Sequence, residues 1–129
     1  MIGIDTNVLV RYLVGDDVVQ SKKASDFIKS LSLSNQGFVS LVTIVETIWV
    51  LDSVYNQEED LIKEAVLKLV KSPRLVVQCG REIEAALSKE KSEGDLSDSI
   101  IAQLGLSFGC ESTVTFDKKA AKLEGMRLI

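Results

Sequence analysis

The stretch Met1–Val14 reads MIGIDTNVLVRYLV. Its first four residues are the length and character of a short buried strand. Asp5-Thr6-Asn7 then supply side chains that favour a helix start, before an apolar run at helical spacing. A strand that passes straight into a helix, with an acid at the junction, is the unit from which parallel α/β sheets are built. The pattern recurs downstream. From Asp17 to Leu33, Ala24, Phe27, Ile28 and Leu31 keep helical spacing, with Lys22, Lys23, Asp26 and Lys29 on the other faces. The breaker Asn35-Gln36-Gly37 precedes a second strand, Phe38 to Ser40, and a long apolar helix from about Leu41 to Tyr55.

A helix over Leu61 to Val70 ends at Ser72-Pro73 and a third strand runs from Arg74 to Gln78. Arg81 to Glu90 reads as a helix with Ile83, Ala86 and Leu87 inward, followed by a turn at Glu93-Gly94. Asp95-Leu96-Ser97-Asp98 opens another helix carrying Ile100, Ile101 and Leu104. Ser112 to Thr115 makes a fourth strand ending at Phe116-Asp117, and a short lysine-rich helix and the strand Met126 to Ile129 follow. The expected class is α/β, a three-layer arrangement with a mostly parallel central sheet of four to five short strands and helices on both faces. In such folds ligands gather outside the carboxyl ends of the strands. Asp5 and Asp117 stand just after two different strands, and Asp98 starts a helix, so a shared site is expected.

With 129 residues, 46% hydrophobic and 26% charged, the chain suits one compact domain over 1–129. No apolar stretch approaches the roughly 20 residues of a membrane span. The N-terminus lacks a secretory pattern, so a cytoplasmic protein starting at residue 1 or 2 is expected. Cys79 and Cys110 are then expected to remain reduced. Fifteen basic against 19 acidic residues give a net charge of -4, which argues against a nucleic-acid binder unless several carboxylates are neutralised by bound cations.

No histidine occurs anywhere in the chain. Histidine-based triads, histidine general bases and the usual zinc sites are therefore excluded. Carboxylates, lysines, hydroxyls and metals that accept oxygen ligands remain, and carboxylates prefer Mg²⁺ or Mn²⁺. Taken singly, Asp5, Asp95, Asp98 and Asp117 are each explained as helix caps or first-turn acids. Glu46 differs, because it lies within LVTIVETIWVL with no lysine or arginine within one turn. Burial there would require a partner, a metal or a water-facing cleft.

Four segments in order, DTNVLV, the acid within VSLVTIVETIWVL, DLSDSIIA and TVTFDKKAAKL, make the chain resemble the PIN-domain ribonucleases over nearly its whole length. The opening IDTNVLVRYL is most similar to VapC-type toxins of type II toxin-antitoxin pairs. The resemblance implies that Asp5, Glu46, Asp98 and Asp117 are catalytic metal ligands, with Asp95 a less regular fifth. It also implies Mg²⁺ or Mn²⁺ as cofactor, water-mediated cleavage of RNA, a VapB-like antitoxin and a homodimer. Thr6, Asn7 and Thr115 match small polar positions that orient water or phosphate. Arg11, Lys118, Lys119 and Lys122 flank the expected site and suit phosphate contact, although solvated surface lysines are common. Two alternatives stay open: a PIN-domain nuclease of RNA processing or structured DNA without an antitoxin, and an inactive binding module whose acids only cap helices.

Overall fold

The computed structural model describes residues 1–89 and 94–129. These form two compact units, Met1–Gln78 and Cys79–Ile129. The first holds strand β1 (Ile2–Gly3), helices α1 (Thr6–Val14) and α2 (Val18–Ser30), strand β2 (Gly37–Val39), helices α3 (Leu41–Ser53) and α4 (Glu59–Lys71), and strand β3 (Leu75–Val77). The second holds α5 (Gly80–Leu87), α6 (Leu96–Ser107), β4 (Thr113–Thr115), a single 3₁₀ turn (Ala120–Lys122) and β5 (Met126–Leu128).

In the first unit the sheet order is β1-β2-β3, with parallel pairing throughout and Ile2 opposite Gly37 opposite Leu75. Helices must return the chain between parallel neighbours, and α1 with α2 and α3 with α4 do so. Gly37 is needed at the centre of this register: a Cβ there would lie 2.6 Å from Ile4 Cδ1 and 2.9 Å from Leu31 Cδ1. Helix α1 packs on α2 and α3, and α4 on α3 and β3. The core they share contains Leu9, Val39, Ile44, Leu51, Ile62 and Val66, all fully buried. Asp17 caps α2 by accepting from the Gln20 N–H at 2.9 Å, and Ser40 caps α3 by accepting from the Thr43 N–H at 3.1 Å.

The second unit pairs β4 with β5 in parallel and packs α5 on α6. Ile83, Ala86 and Leu87 are buried on α5, as their spacing predicts, and Leu96, Ile100 and Ala102 on α6. Ile101 is 50% exposed; the helix buries positions 96, 99, 100 and 102. The strand-helix alternation and parallel pairing of the strands place the chain in the α/β class with a PIN-like fold, the five strands among the described residues divided between a three-stranded and a two-stranded sheet. The expected end of α5 at Glu90 and the first turn residue Glu93 lie outside the described residues. No helix among the described residues is long and apolar enough to cross a membrane. Both cysteines are free, Cys79 half-buried at the start of α5 and Cys110 exposed.

Candidate active site

Two strands carry an acid at the same offset. Asp5 follows the end of β1 by two residues, and Asp117 follows the end of β4 by two residues. In each case the acid stands beyond a strand's carboxyl edge, where α/β sheets present ligand-binding side chains.

Asp5 occupies the N-cap position of α1, yet its side chain makes no capping hydrogen bond. Its backbone carbonyl accepts from Val8 and Leu9 at 3.1 and 3.3 Å, so the helix starts without using the carboxylate. The capping explanation for this acid is thereby removed, and an exposed carboxylate is left at the sheet edge. Beside it, Thr6 is buried while its Oγ1 has no hydrogen-bond partner among the described residues. A buried hydroxyl in that condition costs roughly 1–3 kcal/mol, which a water or a ligand oxygen would offset. Asn7 is exposed and, with Arg11, Lys23 and Phe27, lines a groove of about 480 Å³ alongside β1.

Glu46 is exposed rather than buried. Helix α3 buries Thr43, Ile44, Thr47, Ile48 and Leu51, so Val42, Glu46 and Trp49 share the opposite, outward face. Of the options left open for Glu46, a partner, a metal or contact with water, the structure gives contact with water: hydropathy counts the apolar residues of α3 but not the face each occupies. Glu46 therefore carries no burial penalty and needs no ion partner.

The second unit assembles the clearest cluster. Asp95 Oδ1 accepts from the Asp98 N–H at 2.7 Å, and Asp98 Oδ2 accepts from the Asp95 N–H at 3.3 Å, a reciprocal capping box at the start of α6. Asp117 Oδ1 accepts from the N–H groups of Lys119 and Ala120 at 2.8 and 3.2 Å, and the Asp117 N–H donates to Thr115 Oγ1 at 3.0 Å. Thus Thr115 acts on Asp117 rather than facing solvent alone. Each of these three acids accepts from nearby backbone; Asp117 does so through Oδ1 alone, whereas the side chains of Asp95 and Asp98 also interact with each other. Capping and ligation are compatible in that geometry. Partial burial first, and then the charges of Asp95 and Asp117, push Asp98 above the usual aspartate range.

Gly94 bears directly on this cluster, although its place in the sequence marks only a turn. A Cβ at Gly94 would fall 3.2 Å from both Cβ and Oδ2 of Asp98 and 2.9 Å from Leu123 Cδ1. The only sequence signal is a glycine directly preceding DLSD.

The positive side chains divide. Arg11 is engaged inside its own unit, donating to Gln20 Oε1 at 2.7 Å, Asp16 Oδ1 at 3.1 Å and the Tyr55 hydroxyl at 3.3 Å. Lys118 and Lys119 are exposed and in no ion pair among the described residues.

The family model described as PIN domain matches residues 2–126, spanning both units. This chain belongs to the PIN-domain family. No curated protein matches it. PIN domains are generally metal-dependent nucleases that act on nucleic acid, and the residues here can be tested against that chemistry. Oxygen-only donors, one of them held above its ordinary pKa by burial and by its carboxylate neighbours, suit a hard divalent cation, whose charge would turn that repulsion into attraction. Among the described residues no three His, Cys, Asp or Glu side chains form a group that could hold a metal ion. The donor set of this PIN domain fits a divalent metal in chemistry, with its acids standing as separate edge positions.

Proposed function

We propose that this PIN domain is a metal-dependent endoribonuclease and the toxin of a VapC-type toxin-antitoxin pair, its two units forming one nuclease domain over 1–129. The observation that carries the nuclease reading is the unused carboxylate of Asp5 at one strand edge, matched by Asp117, which hydrogen-bonds through Oδ1 alone, and by the partly buried carboxylate of Asp98. Asp5, Glu46, Asp98 and Asp117 would hold Mg²⁺ or Mn²⁺, with Asp95 as a secondary ligand. When bound, the cation supplies charge neutralisation at a scissile phosphate and makes a water acidic enough to attack near neutral pH.

The chain's own residues contribute the remainder. Thr115 fixes the peptide that carries Asp117, and Asp95 fixes the first turn that carries Asp98, so neither acid needs to be ordered when substrate binds. The orphaned Thr6 hydroxyl supports a role in orienting water or a phosphate oxygen, and Asn7 stands beside it. Lys118 offers charge to the phosphodiester backbone. Arg11 ranks last in this set, since its guanidinium is already occupied. A VapB-like antitoxin and a homodimer are supported by the apolar side chains left outward on α3, Val42 and Trp49, at 65% and 62% exposure. A cytoplasmic setting accords with this partner and with the free cysteines.

The test is incubation of the purified protein with total cellular RNA in Mg²⁺, in Mn²⁺ and in chelator, beside Asp5→Asn. Discrete fragments that need metal and vanish in the variant are expected. Uncleaved RNA in every metal would overturn the nuclease reading. A small antitoxin gene directly adjoining this one is the further expectation of the toxin reading, and an isolated gene would favour an RNA-processing nuclease.

A further inference from the structure

Three aromatic side chains are more than 60% exposed among the described residues: Trp49 at 62%, Phe108 at 84% and Phe116 at 83%. Leaving a phenyl ring in water forgoes roughly 1.5–3 kcal/mol of burial, so each invites the question of what covers it. Their neighbours separate them. Trp49 lies one turn from Glu46 and Asp52 with no cation nearby in sequence, and Phe108 is followed by Gly109-Cys110-Glu111. Phe116 alone is followed by two exposed lysines, Lys118 and Lys119, that make no ion pair among the described residues.

The segment bearing Phe116 is also held firmly. The hydrogen bonds from Asp117 N–H to Thr115 Oγ1, and from Lys119 and Ala120 N–H to Asp117 Oδ1, brace the backbone on both sides of the ring. Ala120 anchors the following turn with no exposed surface. An exposed ring on a rigid support, with adjacent unpaired ammonium groups, is the combination that takes an unpaired nucleobase by stacking and the next phosphate by charge. A duplex hides its base faces and offers such a ring nothing. We propose that Phe116 is the base-stacking platform of this protein and that, with Lys118 and Lys119, it selects single-stranded RNA, placing an unpaired nucleotide beside Asp117. This deepens the ribonuclease reading and rests on it for the identity of the polymer. The residue is a specificity determinant, touching substrate but not the reacting atoms.

The experiment uses the full chain in chelator, where a metal-dependent nuclease leaves RNA intact, and a fluorescent single-stranded RNA of about 12 nucleotides, within the span such surfaces cover. Phe116→Ala is expected to weaken binding on the order of 10- to 100-fold, the usual range for loss of one base-aromatic stack. The same RNA annealed to its complement is expected to bind wild type and variant equally. Phe116→Trp combined with Trp49→Phe leaves one tryptophan, since the chain has only one. Its emission is expected to fall when the single strand binds, with affinity near that of wild type. Lys118→Ala with Lys119→Ala is expected to flatten the salt dependence by about 0.7 in log–log slope for each phosphate no longer neutralised. Unchanged single-strand affinity in Phe116→Ala overturns the proposal, and so does an equal loss for both RNAs. A change in oligomeric state by sedimentation also overturns it, because the ring would then be covered by a second copy. Binding is read without turnover, so absence of cleavage in every metal would refute the nuclease reading and leave this result to stand or fall by itself.

Discussion

Replacing Asp98 by Asn and by Ala separates what this carboxylate does for the helix from what it does for chemistry. Asn keeps an oxygen that can accept the Asp95 N–H, now at 3.3 Å from Asp98 Oδ2, and leaves untouched the shorter 2.7 Å bond from the Asp98 N–H to Asp95. Two opposing electrostatic changes follow. Losing a first-turn negative charge costs about 0.3–1 kcal/mol of helix-dipole interaction. Relieving repulsion from Asp95 and Asp117 returns about 0.2–0.5 kcal/mol for each neighbour. The two nearly cancel, so Asp98→Asn is expected to melt within about 2 °C of wild type, at roughly 4 °C per kcal/mol for a domain of this size. Asp98→Ala also loses the long acceptor bond, worth about 0.5–1 kcal/mol, and is expected to melt a further 2–4 °C or so lower. Cleavage responds differently. Removal of a metal-holding carboxylate is expected to cut the rate by more than about 100-fold in both variants, on the order of 3 kcal/mol of barrier. The assay pairs thermal melts in chelator with RNA cleavage in Mn²⁺. If activity instead tracked melting temperature, with Asp98→Asn nearly as active as wild type, the acid would be a cap only.

Three further outcomes follow from particular residues. Gly94→Ala sets a methyl group 3.2 Å from Asp98 Oδ2, and cleavage is expected to fall about tenfold or more while the far end of Leu123 absorbs most of the strain; single-turnover rates beside melting curves check this. Ser40→Ala removes the α3 cap and is expected to cost about 1 kcal/mol in denaturant unfolding with no change in activity per folded molecule. Tyr55→Phe acts through pH. The Tyr55 hydroxyl, donating to Asp16 at 2.9 Å, and then the charge of Arg11 hold Asp16 below the usual aspartate range. A depressed carboxylate contributes stability that is present above its unfolded pKa of 3.8 and is lost as pH falls through the lower folded value. Wild type is therefore expected to exceed Tyr55→Phe in stability above about pH 4 and to converge with it in stronger acid. A gap that stays constant from about pH 7 to about pH 2 would show that the hydroxyl contributes nothing through Asp16.

Sequence periodicity locates the elements well where local signals and burial agree. Helix α2 begins where Asp17 caps it and α4 ends before Ser72-Pro73. Strand β3 falls inside Arg74 to Gln78. Faces are harder. In α3 apolar residues fall on every face, so counting cannot tell that Val42, Glu46 and Trp49 face outward while Thr43 and Thr47 are buried, the latter donating to the Thr43 carbonyl at 2.7 Å. The same difficulty holds in α6, where Ile100 is buried and the adjacent Ile101 is 50% exposed. Of the candidate site, the places of Asp5 and Asp117 just after strands and of Asp98 at a helix start are legible, although each acid taken singly reads as a cap and only the family resemblance singles out the set. What ties them down is not legible. The Thr115 hold on Asp117, the closeness of Gly94 to Asp98 and the exposure of Phe116 depend on three-dimensional neighbours that no short window encodes.

If acids from both units serve one metal-dependent reaction, as proposed, their substitutions must be coupled, and a double-mutant cycle reads that coupling. Cleavage of a single RNA in saturating Mn²⁺ would be measured for wild type, Asp5→Asn, Asp98→Asn and the double variant. Residues that act as a unit are grossly non-additive, so the double variant is expected to lose no more than the worse single one. Losses that multiply, or wild-type cleavage by either single variant, would contradict a shared site.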